Sequence, residues 1–275
     1  MKSKFALTTF AALAALGMGI GQADAATLLA EGFSYPDGQL TASTPASNSP
    51  VNVSGGLWVA HSGDTFTDNI DVLGGQAVLD NPGSEDANRS IGGVIGAADI
   101  VYYAAKFTVN STGQNNDVND DYFIHLKDSG NGFVARVSIN DTATGDYQLG
   151  IQSGSSFALS GALSGIDLSF GTEYLVVVKW DNGTGTASAW LNPSAESDPS
   201  FGGVADASRI GSAMEAIALR QDFFTTAGVD SNTILVNGIG VATTFDEAVA
   251  GSMVPEPASL GLLALGGLAM LRRKA

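Results

Sequence analysis

The sequence predicts an all-β protein, a two-sheet jelly-roll sandwich, on three observations: short apolar runs of period two, 35 glycines spread along the chain, and no long amphipathic helical pattern between the two ends. Side chains alternate between the faces of a strand, so a half-buried strand is apolar at every second position. In "IVYYAAKFTV", Val101, Tyr103, Ala105, Phe107 and Val109 share one face and Lys106 and Thr108 the other. In "GFVARVSI", Phe133, Ala135, Val137 and Ile139 alternate with Arg136 and Ser138. "EYLVVVKW" sets Tyr174, Val176, Val178 and Trp180 against Lys179, yet its second face, Leu175 and Val177, is also apolar. That pattern predicts a central strand covered on both sides. Further strands are expected at 28–33, 56–60, 76–79, 122–126, 147–151, 187–191, 216–220 and 233–241. Turns fall at Pro36-Asp37-Gly38, Gly130-Asn131-Gly132 and Asp181-Asn182-Gly183, and "TASTPASNSP" is a loop by composition. About a dozen strands in one domain give two packed sheets.

The chain has 275 residues and a net charge of −16. Five of its twelve cations, Lys2, Lys4, Arg272, Arg273 and Lys274, lie at the ends, leaving seven for the whole body. Such a body repels phosphate backbones, which argues against nucleic acid as a partner, and it favours solubility and divalent-cation attraction. The absence of cysteine removes disulfides, thiolate metal sites and cysteine nucleophiles, so stability rests on the core.

Residues 1–25 read as an export signal: Lys2 and Lys4, an apolar stretch from Phe5 to Ile20, then Ala23-Asp24-Ala25 as an A-x-A cleavage site. The body is expected over 26–249 and a tail over 250–275, in which 250–254 is a short linker. Residues 258–271 carry no charge; at ~1.5 Å per residue they span roughly 21 Å, short of a ~30 Å hydrocarbon layer. Pro257 fits a first helical turn, the run has no polar face, and Arg272, Arg273 and Lys274 end it as a stop-transfer stub on the cytoplasmic side.

Val254-Pro255-Glu256-Pro257, the apolar run and the basic stub resemble, in order, the three parts of the PEP-CTERM sorting signal of Gram-negative bacteria. The resemblance implies Pro255, Glu256 and Pro257 as the recognition element for an exosortase, a membrane-embedded cysteine transpeptidase, with transient residence in the inner membrane and delivery to the cell surface or extracellular matrix of a biofilm. A permanent single-span anchor is the alternative. The body, in "AEGFSYPDG", "YFIHLKDSGNGFVARVSI", "TEYLVVVKWD" and "ILVNGIGVATTFDEA", resembles concanavalin A-like and laminin G-like jelly rolls. Such folds host lectins, glycosidases and structural modules, so the resemblance implies fold more than function.

No catalytic residue is indicated. A glycosidase needs two facing carboxylates; the nearest pattern, Glu196-Ser197-Asp198-Pro199-Ser200-Phe201, has phenylalanine where a family-16 glucanase has its second glutamate. There is no G-x-S-x-G, H-E-x-x-H, P-loop or complete G-x-G-x-x-G. His125, in "YFIHLK", reads as a packed or edge-strand residue, and His61 stands 64 positions away. "NNDVNDD" offers Asn115, Asp117, Asn119 and Asp121 as calcium-type oxygen ligands, and "GDTFTDNID" offers Asp64, Asp68 and Asp71; a solvated polar turn is the favoured reading of such loops. The aromatics suited to sugar faces are Trp58, Trp180, Trp190, Tyr122 and Tyr147; each reads more readily as core, Trp180 above all, while Trp190, with Ser188 as its face neighbour, and Tyr122 are the candidate ligand-binding residues. The function expected is an exported, non-catalytic module associating with exopolysaccharide; the alternatives are a polysaccharide-active enzyme on the same fold and a purely structural matrix module.

Overall fold

The computed structural model describes residues 26–41, 52–63, 69–80, 83–111, 122–142, 146–154, 163–202, 205–221 and 233–253. These form fifteen strands, one 3-10 turn and one α-helix. In chain order the strands are β1 (Thr27–Glu31), β2 (Gly38–Gln39), β3 (Trp58–Ser62), β4 (Asp71–Leu73), β5 (Gln76–Asp80), β6 (Asp86–Ile95), β7 (Ile100–Ser111), β8 (Tyr122–Lys127), β9 (Phe133–Asp141), β10 (Tyr147–Gln152), β11 (Glu173–Asp181), β12 (Thr186–Leu191), β13 (Phe201–Gly202), β14 (Met214–Arg220) and β15 (Thr233–Ala242). The helix α1 is Phe245–Ser252.

The strands make two antiparallel sheets. The larger runs β13-β12-β11-β7-β15-β5-β4-β2, with β1 also paired to β15; the smaller runs β10-β9-β8-β14-β6-β3. Strands distant in sequence are neighbours in both, as in β7 beside β15 and β8 beside β14, which is the crossover pattern of a jelly roll. The two-sheet expectation therefore holds.

The core lies between the sheets. Val101, Tyr103, Ala105, Phe107 and Val109 face it, with Val176, Val178 and Trp180 of the neighbouring strand. The smaller sheet meets them with Phe123, Ile124, Leu126, Val137, Ile217 and Leu219. Each large apolar side chain so buried contributes about 2 kcal/mol, which is how a chain without disulfides stays folded. A polar knot closes one region of the interior: the buried Glu31 carboxylate accepts from the Trp58 indole and the Tyr35 phenol, both at 2.8 Å, and pairs with Arg89. A buried carboxylate survives there because every such contact supplies a donor.

The second apolar face of β11 is covered by α1. Phe245 and Ala248 pack on Tyr102, Ala104, Leu175, Val177, Trp190 and Ala242, a second core on the far side of the larger sheet. Residues 250–252, expected as linker, are the last turn of this helix, and Gly251 and Ser252 are buried. The eight-residue helix is too short to show a clear amphipathic period in sequence. The helix can lie this close because β15 offers glycine beneath it: a Cβ on Gly240 would stand 2.0 Å from the Ala248 carbonyl oxygen. Strand β6, ten residues long, was not expected either; Gly92 and Gly93 interrupt its alternation.

Gly240→Val is therefore expected to lift α1 and destabilise the domain by about 2 kcal/mol, measured as a lower urea midpoint, while the same change at the open Gly74 turn, where φ is +60°, acts through backbone strain alone and leaves α1 in place.

Candidate functional site

The face of the smaller sheet turned away from the core is polar, and three irregularities in strand pairing make it so. In β8, Tyr122 pairs with Ser138 and Ile124 with Val137, so two residues of β8 stand against one of β9. Phe123 and Ile124 both reach the core as a result, and Tyr122 and His125 share the outer face. In β9 the extra residue is Ala135, whose φ of +52° is left-handed and disfavoured for a residue with a side chain. The Tyr103 hydroxyl, donating to the Ala135 carbonyl at 2.5 Å, and the Ala135 N–H, donating to the Ser153 carbonyl at 3.2 Å, hold it there. Val134 and Ala135 then both face inward and Arg136 turns outward between Phe133 and Ser138. In β3 the pairing slips between Ala60 and Ser62, which brings His61 to the same side. Strain of this sort collects where side chains must be re-aimed.

The aromatic and cationic groups converge. The His125 ring lies 4.6 Å from that of Phe133, 5.1 Å from that of Tyr122 and 6.5 Å from that of His61. The Arg136 and Arg220 guanidinium carbons lie 4.6 Å and 4.5 Å from the centre of the Tyr122 ring, within cation–π range. Lys127, two residues beyond His125, donates from Nζ to the Asp128 carbonyl at 2.8 Å. Asp86 is the carboxylate facing this group, 3.8 Å from both His61 Nε2 and Arg220 Nε. Small residues, Ala216 and Ala218 on β14 and Gly150 on β10, separate the larger ones.

Beside the cluster runs a row of neutral hydrogen-bonding side chains: Ser138 and Asn140 on β9 and, across the ladder from Arg136, Gln152 on β10. All three are buried, and Ser138 Oγ and both amide atoms of Asn140 and Gln152 make no hydrogen bond. Neither ring nitrogen of His125, 0 % exposed, makes one. Buried polar atoms are nearly always paired, and a set of seven unpaired ones on one face is an arrangement that a bound polar molecule would complete.

Protonation follows from the surroundings. Burial, then the charge of Arg136, hold the His125 imidazole well below the ordinary histidine value, so it is neutral at neutral pH. Burial also lowers His61, against the opposing pull of Asp86. The Tyr122 phenol is raised by burial, which outweighs the two guanidiniums, and stays a protonated donor.

Residues 254–274 match the PEP-CTERM protein-sorting motif. The chain carries a PEP-CTERM tail. The motif indicates export and sorting to the cell surface. A search of curated proteins finds no sequence that matches this chain. Among solved structures, an alginate lyase in complex with alginate trisaccharide is similar at a TM-score of 0.50 and 12% identity, covering 79% of this chain and 98% of that one. A sialidase is similar at 0.46 and 12% over 80% of this chain but 19% of its own. Peanut lectin is similar at 0.42 and 10% over 68% of this chain and 90% of its own. At these identities the likeness is one of fold.

Tyr122 stands within the polar cluster, between Arg136 and Arg220. Trp190 does not: α1 covers its face, its ring lies 5.6 Å from Phe245, its indole donates to the Asp198 carbonyl at 3.0 Å, and the exposure expected from its neighbour Ser188 is absent. Trp58 and Trp180 are core. His125 is packed, as expected, but in a central strand and on the polar face. Glu196 and Asp198 belong to a turn: Asp198 accepts from Ser194 and Ala195, and Glu196 from Tyr102 at 2.6 Å. Ala23, Ala25, Asn115, Asp117, Asn119, Asp121, Asp64, Asp68, Pro255, Glu256, Pro257, Arg272, Arg273 and Lys274 lie outside the described residues, as does the apolar run 258–271. Among the described residues no group of three or more His, Asp or Glu could hold a metal, and no helix is long and apolar enough to cross a membrane. The sequence reading missed Arg136, Arg220, Lys127, Ser138, Asn140 and Gln152 as a group. One weak signal was present: five of the body's seven cations, Lys127, Arg136 and Arg220 among them, and both histidines lie in expected strands or beside them.

Because His125 is held neutral in the fold but takes a proton near the ordinary histidine value of about 6.5 once unfolded, the unfolded chain binds more protons below that pH. Stability is therefore expected to fall as the pH drops from about 6.5 toward 5, and His125→Gln should flatten that limb in urea unfolding curves recorded across the range.

Proposed function

We propose that this protein is an exported surface module that binds polysaccharide on the outer face of its smaller sheet. The observation that carries the reading is the row Ser138, Asn140 and Gln152, buried and without hydrogen bonds, beside an aromatic and cationic cluster. Sugars present dense hydroxyl donors and acceptors together with apolar ring faces, and a site for them combines amides and hydroxyls with aromatic edges. The sorting tail supports a location where matrix polysaccharide is the surrounding medium, with an exosortase-type enzyme and the export machinery as processing partners and the inner membrane as a transient stop. The tail follows α1, which rests on the larger sheet, so the chain leaves the sandwich on the side opposite the polar face.

A second reading, an enzyme acting on polysaccharide, draws on one observation: a neutral imidazole, His125, stands against the protonated phenol of Tyr122, the states required of a base and an acid acting together. The paired carboxylates of a glycosidase are not brought together on this face among the described residues, where Asp86 is the carboxylate present.

Glycan-array binding by the purified protein, followed by calorimetry on the best ligand, tests the first reading. Asn140→Ala and Gln152→Ala are each expected to weaken binding about tenfold, by loss of one or two hydrogen bonds, with folding retained. Release of new chain ends from the bound polysaccharide, abolished by His125→Gln, would establish the second reading in its place. Absence of both binding and cleavage would leave a purely structural matrix module.

A further inference from the structure

Among the described residues one strand edge of the sandwich is left open. A sheet ends in a row of unpaired backbone N–H and C=O groups, and proteins guard such rows with very short strands, charges, prolines or a covering segment. The ends of the larger sheet are β13 and β2, each two residues long. Strand β1, joined to β15 beside β5, ends in the charged Glu31 and has α1 and β6 packed against it. In the smaller sheet the outer side of β10 is occupied: Tyr147 N–H donates to the Leu168 carbonyl at 3.1 Å, Leu168 N–H donates back at 2.7 Å, and Ser164 N–H donates to the Leu149 carbonyl at 2.8 Å. The other end is β3, five residues long, which pairs with β6 on one side and with no described strand on the other.

The sequence of β3, "WVAHS", has neither a charged residue nor a proline. Trp58 points into the core, so its neighbours Leu57 and Val59 point outward, and they are 52% and 54% exposed. The irregularity in its pairing lies between Ala60 and Ser62, beyond that exposed pair. From Gly38 to Gly63 there is no Asp, Glu, Lys or Arg, although such residues make up 15% of the chain. That neutrality selects the occupant. A chain of net charge −16 repels its own copies, so two of them meet at least cost where neither carries charge, whereas a basic partner would be drawn to the acidic surface elsewhere. An antiparallel edge is also self-complementary, because a two-fold axis across the sheet sets the strand against itself.

We propose that β3 is a homodimer seam, at which a second copy of this chain adds its own β3 antiparallel and continues the six-stranded sheet into its own. Leu57 and Val59 of both copies then lie on the same side of the joined sheet and shield one another from water. At about 3.4 Å per residue the seam is about 17 Å long, small for a specific interface, so the expected dissociation constant is about 10 μM. The inference stands apart from polysaccharide binding.

Sedimentation velocity of the purified exported protein between about 1 and about 200 μM should show a monomer–dimer equilibrium. Raising the salt from about 0.01 M to about 0.15 M should strengthen it, since screening relieves repulsion between acidic copies. Val59→Lys, at an exposed position, should weaken the dimer at least about tenfold by setting like charges together at the seam. Leu73→Lys, exposed on the larger sheet, should leave it unchanged. Hydrogen exchange on the unaltered protein needs no variant: the amides of β3 should exchange more slowly at the higher concentration and those of β12 at the same rate. A monomer at the highest concentration would overturn the proposal. So would a dimer that keeps its affinity in Val59→Lys, as one held by the sorting tail would, or whose added protection lies away from β3.

Discussion

A strand can show the same face to a core only at every second residue, and the rest of this structure depends on where that rule is kept and where it is broken. The larger sheet keeps it along β7, whose residues Val101, Tyr103, Ala105, Phe107 and Val109 all enter the core. The smaller sheet breaks it beside Phe123, at Ala135 and at His61, and each break turns a polar or aromatic side chain outward without removing an apolar one from the interior. The left-handed Ala135 is tolerable because the core pins it, through the Tyr103 hydroxyl and the Ser153 carbonyl. Core and polar face are thus one construction: the interior supplies the rigidity that the outer face uses.

The two outer faces of the sandwich have separate fates. That of the larger sheet carries an apolar patch closed by α1, which approaches closely over Gly240, beside the ion pairs of Lys106 with Glu173 and Lys179 with Glu196. That of the smaller sheet is polar and holds groups capable of many more hydrogen bonds than they make.

Much of the architecture is legible from the sequence because alternation, glycine turns and the doubly apolar "EYLVVVKW" are local signals, and they locate eleven of the strands to within a few residues. Strand β6 is not legible, since its glycine pair and polar start hide the period, and β2, β4 and β13 are too short to leave one. The helix over the larger sheet is hinted at only by the apolar second face of β11. The site is harder still. Strict alternation would put Tyr122 with Ile124 and Leu126 in the core and Phe123 with His125 on the outer face; one bulge exchanges Tyr122 and Phe123, and nothing in "DYFIHLK" announces it. Arg220 reaches Tyr122 because β14 inserts beside β8, a pairing across more than ninety residues that no local pattern encodes. Trp190 misleads for the same reason, as its cover comes from a helix some fifty residues later.

The central claim is that a polysaccharide seats on the outer face of the smaller sheet. The side-chain amides of that face report on it directly in a nuclear magnetic resonance titration with an oligosaccharide of the bound polymer. The account predicts shifts in the amide signals of Asn140 and Gln152, while those of Asn182, whose amide already donates to the carbonyls of Gly96 and Ser212 at 2.7 and 2.8 Å, stay still. Shifts confined to the larger sheet or to Asn182, with Asn140 and Gln152 unmoved at saturation, would contradict it.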